Sequence, residues 1–237
     1  MNKSEHMSKK IVLLGSTGQI GWELHRSLTT VGQVIPLNRE AADLSKPEMV
    51  VQEIRKHKPH IIVNAAAYTA VDAAETESEK AMTINAKAPG MLAEEAKRLG
   101  ALLVHYSTDY VFDGNNTSPY REEDPTNPLN SYGKSKLEGE KAIQAPAGKH
   151  LIFRTSWVYG MRGQNFLLTM LRLGKERDEL KVVDDQIGAP TWCRHIAEAT
   201  SQILAQKDLL DQKALTGIYH MTSSGSTSWH GFATAIF

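Results

Sequence analysis

Tyr132 and Lys136 stand four residues apart in the stretch "NSYGKSKLEGEK", residues 130–141. A tyrosine phenol titrates near 10, so at neutral pH it is a poor acid or base unless its anion is stabilised. An ammonium one helical turn away supplies that stabilisation, because positions i and i+4 share a helix face. The pair can therefore form one proton-transfer unit. The spacing alone is common and in most proteins is structural, so its meaning depends on the surrounding motifs. Two of these bear on it. "HYSTDYVFDG" (105–114) puts the hydroxyls of Ser107 and Thr108 at the end of an apolar run, and "GSTGQIG" sets Gly15, Gly18 and Gly21 between an apolar run and an amphipathic one. There the first glycine permits a tight turn, the second lets backbone approach a pyrophosphate, and the third lets a helix pack closely on a sheet. Free N–H groups and a partial positive charge at the helix start suit the phosphates.

The elements that must position these residues alternate. "KIVLLG" (10–15) reads as a strand, and residues 19–32 as a helix with Ile20, Leu24 and Leu28 on one face. Residues 33–38 then read as a strand, 46–58 as a helix with proline near its first turn, and 60–67 as a strand. A helix over about 77–99, a strand over 101–108 and a strand pattern over 150–160 follow. Beyond Gly160 the elements shorten: a helix near 164–176, the segment 180–185, a helix near 192–206 and a strand over 217–222. Repeated β-α units with continuously apolar strands predict an α/β fold, a doubly wound parallel sheet of Rossmann type covered by helices on both faces. The loop 113–130 is long and rich in turn formers, the composition of a functional rim.

Composition narrows the partners. With 237 residues and 41% apolar content the chain can build one sizeable core, and 27 basic residues balance 27 acidic ones, so no net field argues for nucleic acid. No apolar run approaches the length of a membrane span, and the polar start has no signal-peptide core. The single cysteine, Cys193, excludes an intrachain disulfide framework and fits a reducing cytoplasm. Nine histidines without paired spacing make a histidine metal site improbable. Residues 1–8 read as a tag or tail, 9–160 as the NAD(P)-binding domain, and 161–237 as a mixed segment that builds a smaller substrate domain and returns elements to the first.

The end of the second strand bears on the cofactor. NAD-selective sites place an acid there, whereas this chain has Asn38 followed by Arg39, and a guanidinium pairs with a 2′-phosphate. NADPH is favoured over NADH.

Together "GSTGQIGWEL", "IIVNAAAYTAVDAAE", "INAKAP", "HYSTDYVFDG", "PLNSYGKSKLEGE", "RTSWVYG", "NFLLTMLRL" and "DDQIGAPT", in this order from about Lys10 to the last residue, resemble the extended short-chain dehydrogenase/reductases. Within them, "STDYVFDG" and "DQIGAPT" point to the branch that reduces dTDP-4-dehydrorhamnose. The resemblance implies that Tyr132 donates a proton, that Lys136 holds the nicotinamide ribose and lowers the Tyr132 pKa, and that Thr108 bonds the reacting oxygen. It places Gly18, Gln19 and Ile20 on the pyrophosphate, Asn38 and Arg39 near the adenosine ribose, and Asp43 and Leu44 by the adenine. Ala67, Tyr68 and Thr69 would line the cofactor, with Tyr106 behind the nicotinamide, and Asp109 and Trp157 would contact a dTDP-sugar. It also implies a homodimer, in some relatives with bound Mg2+.

Neighbouring activities differ in their residues. The related dehydratases carry an Asp-Glu pair after the threonine, but Asp109 is followed here by Tyr110. An epimerase shares the Tyr/Lys pair and is disfavoured by Asn38-Arg39 and the branch motifs. A non-catalytic binding relative is disfavoured by the complete Thr108, Tyr132 and Lys136 set. Related reductases continue for several dozen residues past the position of Phe237, so a substrate domain that is cut short is expected.

Overall fold

The structure, a computed structural model, describes residues 9–206 and 216–237; the expected tail, residues 1–8, lies outside them. β1 (Lys9–Leu14) leads through α1 (Gln19–Ser27) to β2 (Gly32–Leu37), and α2 (Pro47–His57) leads to β3 (Ile61–Asn64). A long helical stretch follows: α3 (Ser78–Met82), a π-helical turn (Thr83–Lys87) and α4 (Ala88–Leu99). Then come β4 (Leu102–Thr108), α5 (Ser131–Gln144) and β5 (His150–Thr155). The remainder adds β6 (Val158–Tyr159), α6 (Phe166–Glu176), β7 (Ile187–Gly188), β8 (Thr191–Trp192), α7 (Cys193–Ala205), β9 (Gly217–His220), β10 (Thr227–Ser228) and α8 (Trp229–Ile236).

Six strands form one sheet in the order β2-β1-β3-β4-β5-β9, and every pairing is parallel. The chain winds from β1 outward to β2, then from β3 in the opposite direction. The switch point therefore lies between β1 and β3, and ligands of such sheets bind at the carboxyl ends of the strands there. Alternate side chains enter two cores. Val12, Leu14, Ile62, Leu103 and Ile152 meet Val50 and Ile54 of α2, Leu92 and Ala96 of α4 and Ile143 of α5. On the other face Ile11, Leu13, Val63, Val104 and Phe153 meet Leu24 of α1 and Ile196 and Leu204 of α7. Burial on both faces is why the strands read as continuous apolar runs. β2 tolerates Pro36 because it is an edge strand.

Three local expectations are refined. The helix over 77–99 is interrupted by the π turn, which swings Asn85 inward to full burial. The strand pattern over 150–160 breaks after Thr155, where Trp157 takes a left-handed φ of 46° and β6 starts afresh. Residues 180–185 form neither helix nor strand, and the loop 113–130 is a loop throughout.

Candidate active site

The glycine turn fits a dinucleotide diphosphate. Gly15 sits at φ 73°, and a Cβ on it would lie 2.7 Å from the Ala66 nitrogen, so the loops after β1 and β3 meet at the switch point. A Cβ on Gly21 would lie 2.0 Å from the Gly15 carbonyl oxygen, which explains why the first turn of α1 needs glycine to pass the strand end. Gly18 caps α1 without a side-chain hydrogen bond, and the first ring closes from the Trp22 N–H to the Gly18 carbonyl at 2.9 Å. The N–H groups of Gln19, Ile20 and Gly21 thus have no helical acceptor, as an anion site requires. The Gln19 side chain faces another way: it accepts from Asn165 Nδ2 at 2.8 Å and donates to the Gln164 carbonyl at 3.4 Å.

After β2, Asn38 Oδ1 accepts from the Ala41 N–H at 3.0 Å. Arg39 is 75% exposed, and its Nε lies 3.7 Å from Asp43 Oδ2, a surface pair of little energetic weight that a phosphate can replace. The Asp43 carboxyl is held below its usual range first by the Ser45 N–H, 3.0 Å from Oδ1, and Leu44 is buried among Leu37 and Ala42. After β3, Ala67, Tyr68 and Thr69 are positioned by Asn85. Its Oδ1 accepts from the Tyr68 N–H at 2.8 Å, and its Nδ2 donates to the Tyr68 carbonyl and to Ser135 Oγ, both at 2.9 Å. Asn85 thus ties the loop after β3 to α5.

The first turn of α5 brings Tyr132 to Thr108. Asn130 caps it by accepting from the Gly133 N–H at 2.7 Å, and a Cβ on Gly133 would lie 2.2 Å from the Tyr110 carbonyl oxygen. Only glycine lets the helix press against the turn Asp109–Val111 that closes β4. The Tyr110 ring meets the Tyr132 ring edge-on with centroids 5.5 Å apart. Burial pushes the Tyr132 phenol well above its ordinary value, against the pull of the Thr108 hydroxyl, with Asp109 and Tyr110 pushing the same way as burial. Tyr132 therefore keeps its proton at neutral pH, and the lowering by Lys136 that the resemblance implies is not what the cofactor-free chain shows, where burial makes the phenol a weaker acid. Thr108 Oγ1 donates to Asp109 Oδ1 at 3.1 Å, and burial raises that carboxyl from 3.8 to about 6 despite the hydrogen bond.

Lys136 is buried one turn further along α5, as the spacing predicts. Its Nζ is engaged by the Tyr106 carbonyl at 2.7 Å and by His105 Nε2 at 3.3 Å. Burial lowers Lys136 to about 8, while Glu140 pulls upward. Tyr106 reaches the site through that carbonyl; its phenol lies across the sheet, 2.8 Å from Thr200 Oγ1 on α7. Trp157 is stacked on Trp229 of α8 with centroids 3.5 Å apart, and a Cβ on Gly188 would meet its ring edge at 2.4 Å. A left-handed tryptophan at the rim of a site is strain of the kind that functional positions retain.

His105, Asn64 and Ser135 lie inside the quoted motifs, which give them no role, and only their contacts bring them to this site. Arg154 is another such residue: it holds buried Glu140 of α5 through Nε at 2.9 Å and Nη2 at 2.7 Å, and donates to the Glu122 carbonyl of the 113–130 loop at 3.2 Å. Among the described residues no group of three or more His, Cys, Asp or Glu is placed to hold a metal ion. No helix among the described residues is long and apolar enough to cross a membrane.

Comparison with known proteins agrees with this geometry. The family model described as the RmlD substrate binding domain matches residues 9–237. The dTDP-4-dehydrorhamnose reductase of Burkholderia thailandensis is 56% identical over 229 residues, 96% of this chain and 77% of that protein. That of Escherichia coli is 49% identical over 231 residues, with the same shares covered. A crystal structure of dTDP-4-dehydrorhamnose reductase from Bacillus anthracis in complex with NADP superposes with a TM-score of 0.91 at 39% identity, over 98% of this chain and 80% of that one. A parallel sheet with a glycine turn at its switch point, and a buried tyrosine beside a threonine at its edge, thus coincide with sequence kinship along nearly the whole chain, which belongs to the RmlD family of dTDP-4-dehydrorhamnose reductases.

Proposed function

We propose that this chain is an NADPH-dependent oxidoreductase that reduces the 4-keto group of dTDP-4-dehydrorhamnose to give dTDP-L-rhamnose, a sugar donor for cell-surface polysaccharide. The observation that carries the reading is the Tyr132 phenol, buried beside the Thr108 hydroxyl and at the same sheet edge as the glycine turn. The bound cofactor supplies a hydride to C4 of the sugar. Thr108 holds the carbonyl oxygen and Tyr132 delivers the proton that turns it into a hydroxyl. Lys136 sits against the cofactor ribose, and the N–H groups of Gln19 and Ile20 hold the diphosphate. Arg39 and Asn38 take the adenosine ribose, Arg39 pairing with its 2′-phosphate. Asp109 and Trp157 border the sugar. Only one carboxylate follows Thr108, which suits reduction and leaves dehydration without its second acid.

The buried thiol of Cys193 suits a cytoplasmic enzyme, and the homodimer carried over from the resemblance is checked by sedimentation. Incubation with NADPH and dTDP-4-dehydro-L-rhamnose, followed by the absorbance of the reduced cofactor, tests the activity. Tyr132→Phe should lower kcat by roughly a thousandfold, a typical contribution of a positioned acid, and leave NADPH affinity nearly unchanged. Turnover by the variant at the wild-type rate overturns the assignment of the proton donor.

A further inference from the structure

The polarity of one buried hydrogen-bond chain specifies the proton on Lys136. Asn64, at the end of β3, lies in register with His105 on β4, and both side chains are about 1% exposed. Asn64 Oδ1 accepts from the Ala66 N–H at 3.2 Å. That contact orients the amide, because a flipped Asn64 would set its NH2 group against an N–H donor. Nδ2 therefore faces His105 Nδ1 at 3.1 Å as a donor, and Nδ1 must be the acceptor. A neutral imidazole with an accepting Nδ1 carries its hydrogen on Nε2. His105 is neutral, since an accepting Nδ1 excludes the doubly protonated ring and burial holds it well below its ordinary value. Its Nε2–H points at Lys136 Nζ, 3.3 Å away. An ammonium has no lone pair to receive that hydrogen, whereas an amine has one and still donates to the Tyr106 carbonyl at 2.7 Å.

We propose that His105, fixed by Asn64 as the Nε2–H tautomer, is a positioning residue that favours the neutral amine of Lys136 before cofactor binds, so that gaining a proton releases Lys136 from His105. The proposal rests on the reading of Lys136 as the group beside the cofactor ribose. Other charged and titratable groups around Lys136 do not supply this polarity. Glu140 on α5 is neutralised by Arg154 of β5, while Tyr132 on α5 and Tyr110 and Asp109 in the turn after β4 gather at the Thr108 end. Glu75 is spent on capping Ser131 at the start of α5. The same chain begins at Ala66, whose nitrogen touches the glycine turn, so the cradle of the diphosphate and the seat of Lys136 share one backbone strand end.

The test uses the cofactor-free protein. With 15N-labelled histidine, His105 should show the Nε2–H tautomer without titrating near neutral pH; with 15N-labelled lysine, Lys136, assigned by its loss in Lys136→Met, should titrate well below the other lysines. Asn64→Asp removes the donor and keeps the acceptor for Ala66, so His105 should switch to Nδ1–H and Lys136 should titrate higher by about one unit or more. Because the new carboxylate also acts through space, Asn64→Asp is repeated in a His105→Phe background, where most of that shift should vanish. A wild-type Nδ1–H tautomer, an unmoved Lys136 titration, or a shift that persists without His105 each overturns the proposal. These readings do not depend on turnover, so they can fail while the reductase assignment stands, and the reverse also holds.

Discussion

Asp109 carries a cost that the fold can be made to reveal. Its carboxyl is placed beside Thr108 and Tyr132 and is raised from 3.8 to about 6 by burial, with only the Thr108 hydroxyl and two backbone N–H groups opposing. A raised acid binds its proton more tightly in the native state than in the unfolded chain. Below about pH 4 both states hold the proton and there is no penalty; as pH rises through 4 to 6 the native state must give up a proton it prefers, and stability falls. A rise of about two units corresponds to about 3 kcal/mol, and partial access of Asp109 to solvent reduces the realised figure to about 1.5 kcal/mol. Asp109→Asn keeps the shape and the acceptor and removes the charge. Urea unfolding of the two proteins from pH 4.5 to 7.5 should show the variant gaining about 1 kcal/mol on the wild type across that range, most of it below pH 6.5, while turnover falls because the sugar loses a charged neighbour. Other titrating groups cancel in the difference. A difference that stays flat with pH, or that moves against the variant as pH rises, would mean that the carboxylate is stabilised where it sits, and the burial argument would be wrong.

Two further substitutions test other parts of the structure. Arg39→Ala should reduce the preference for NADPH over NADH by roughly tenfold or more, the worth of one charge-assisted hydrogen bond, read from KM values for the two cofactors; an unchanged ratio removes Arg39 from the phosphate site. Arg154→Met leaves Glu140 buried and unpaired and should cost about 3–5 kcal/mol in chemical denaturation, with much of it recovered in Arg154→Met/Glu140→Leu; a mild single variant would show that the pair is solvated.

What the sequence makes legible is what depends on local pattern. Both cores alternate along β1, β3, β4 and β5 because the helices cover two faces, so each of these strands announces itself as an apolar run, and the glycine turn is readable because a Cβ there would lie within 2.0–2.7 Å of neighbouring backbone. Thr108, Tyr132 and Lys136 were legible as residue types with a spacing. Register and helix irregularity are a different matter. Asn85 reaches the loop after β3 only because a π turn rotates it inward, and no single-residue propensity marks that turn. Trp157 was legible as an aromatic at a strand end, but its partner Trp229 is 72 residues away by number and its left-handed backbone is set by the break between β5 and β6.

The Tyr132 and Lys136 pair shows the physical origin of that limit. Spacing places the two on one helix face and suggests that the ammonium serves the phenol. In the folded chain the groups that set Tyr132 come from the turn after β4, whereas Lys136 turns to a carbonyl and an imidazole of β4 itself. Helical periodicity specifies which residues can share a face; it does not specify which partner each finds when both are buried, because burial makes any satisfied hydrogen bond decisive. Asn64 is 41 residues from His105, and His105 is 31 from Lys136. Their juxtaposition follows from the parallel register of β3 on β4 and from the packing of α5 over that pair of strands. The proton on Lys136 is thereby governed by tertiary structure even though the residue itself is announced by its four-residue spacing from Tyr132, so substitutions at Asn64, far from the pair in sequence, should reach its chemistry.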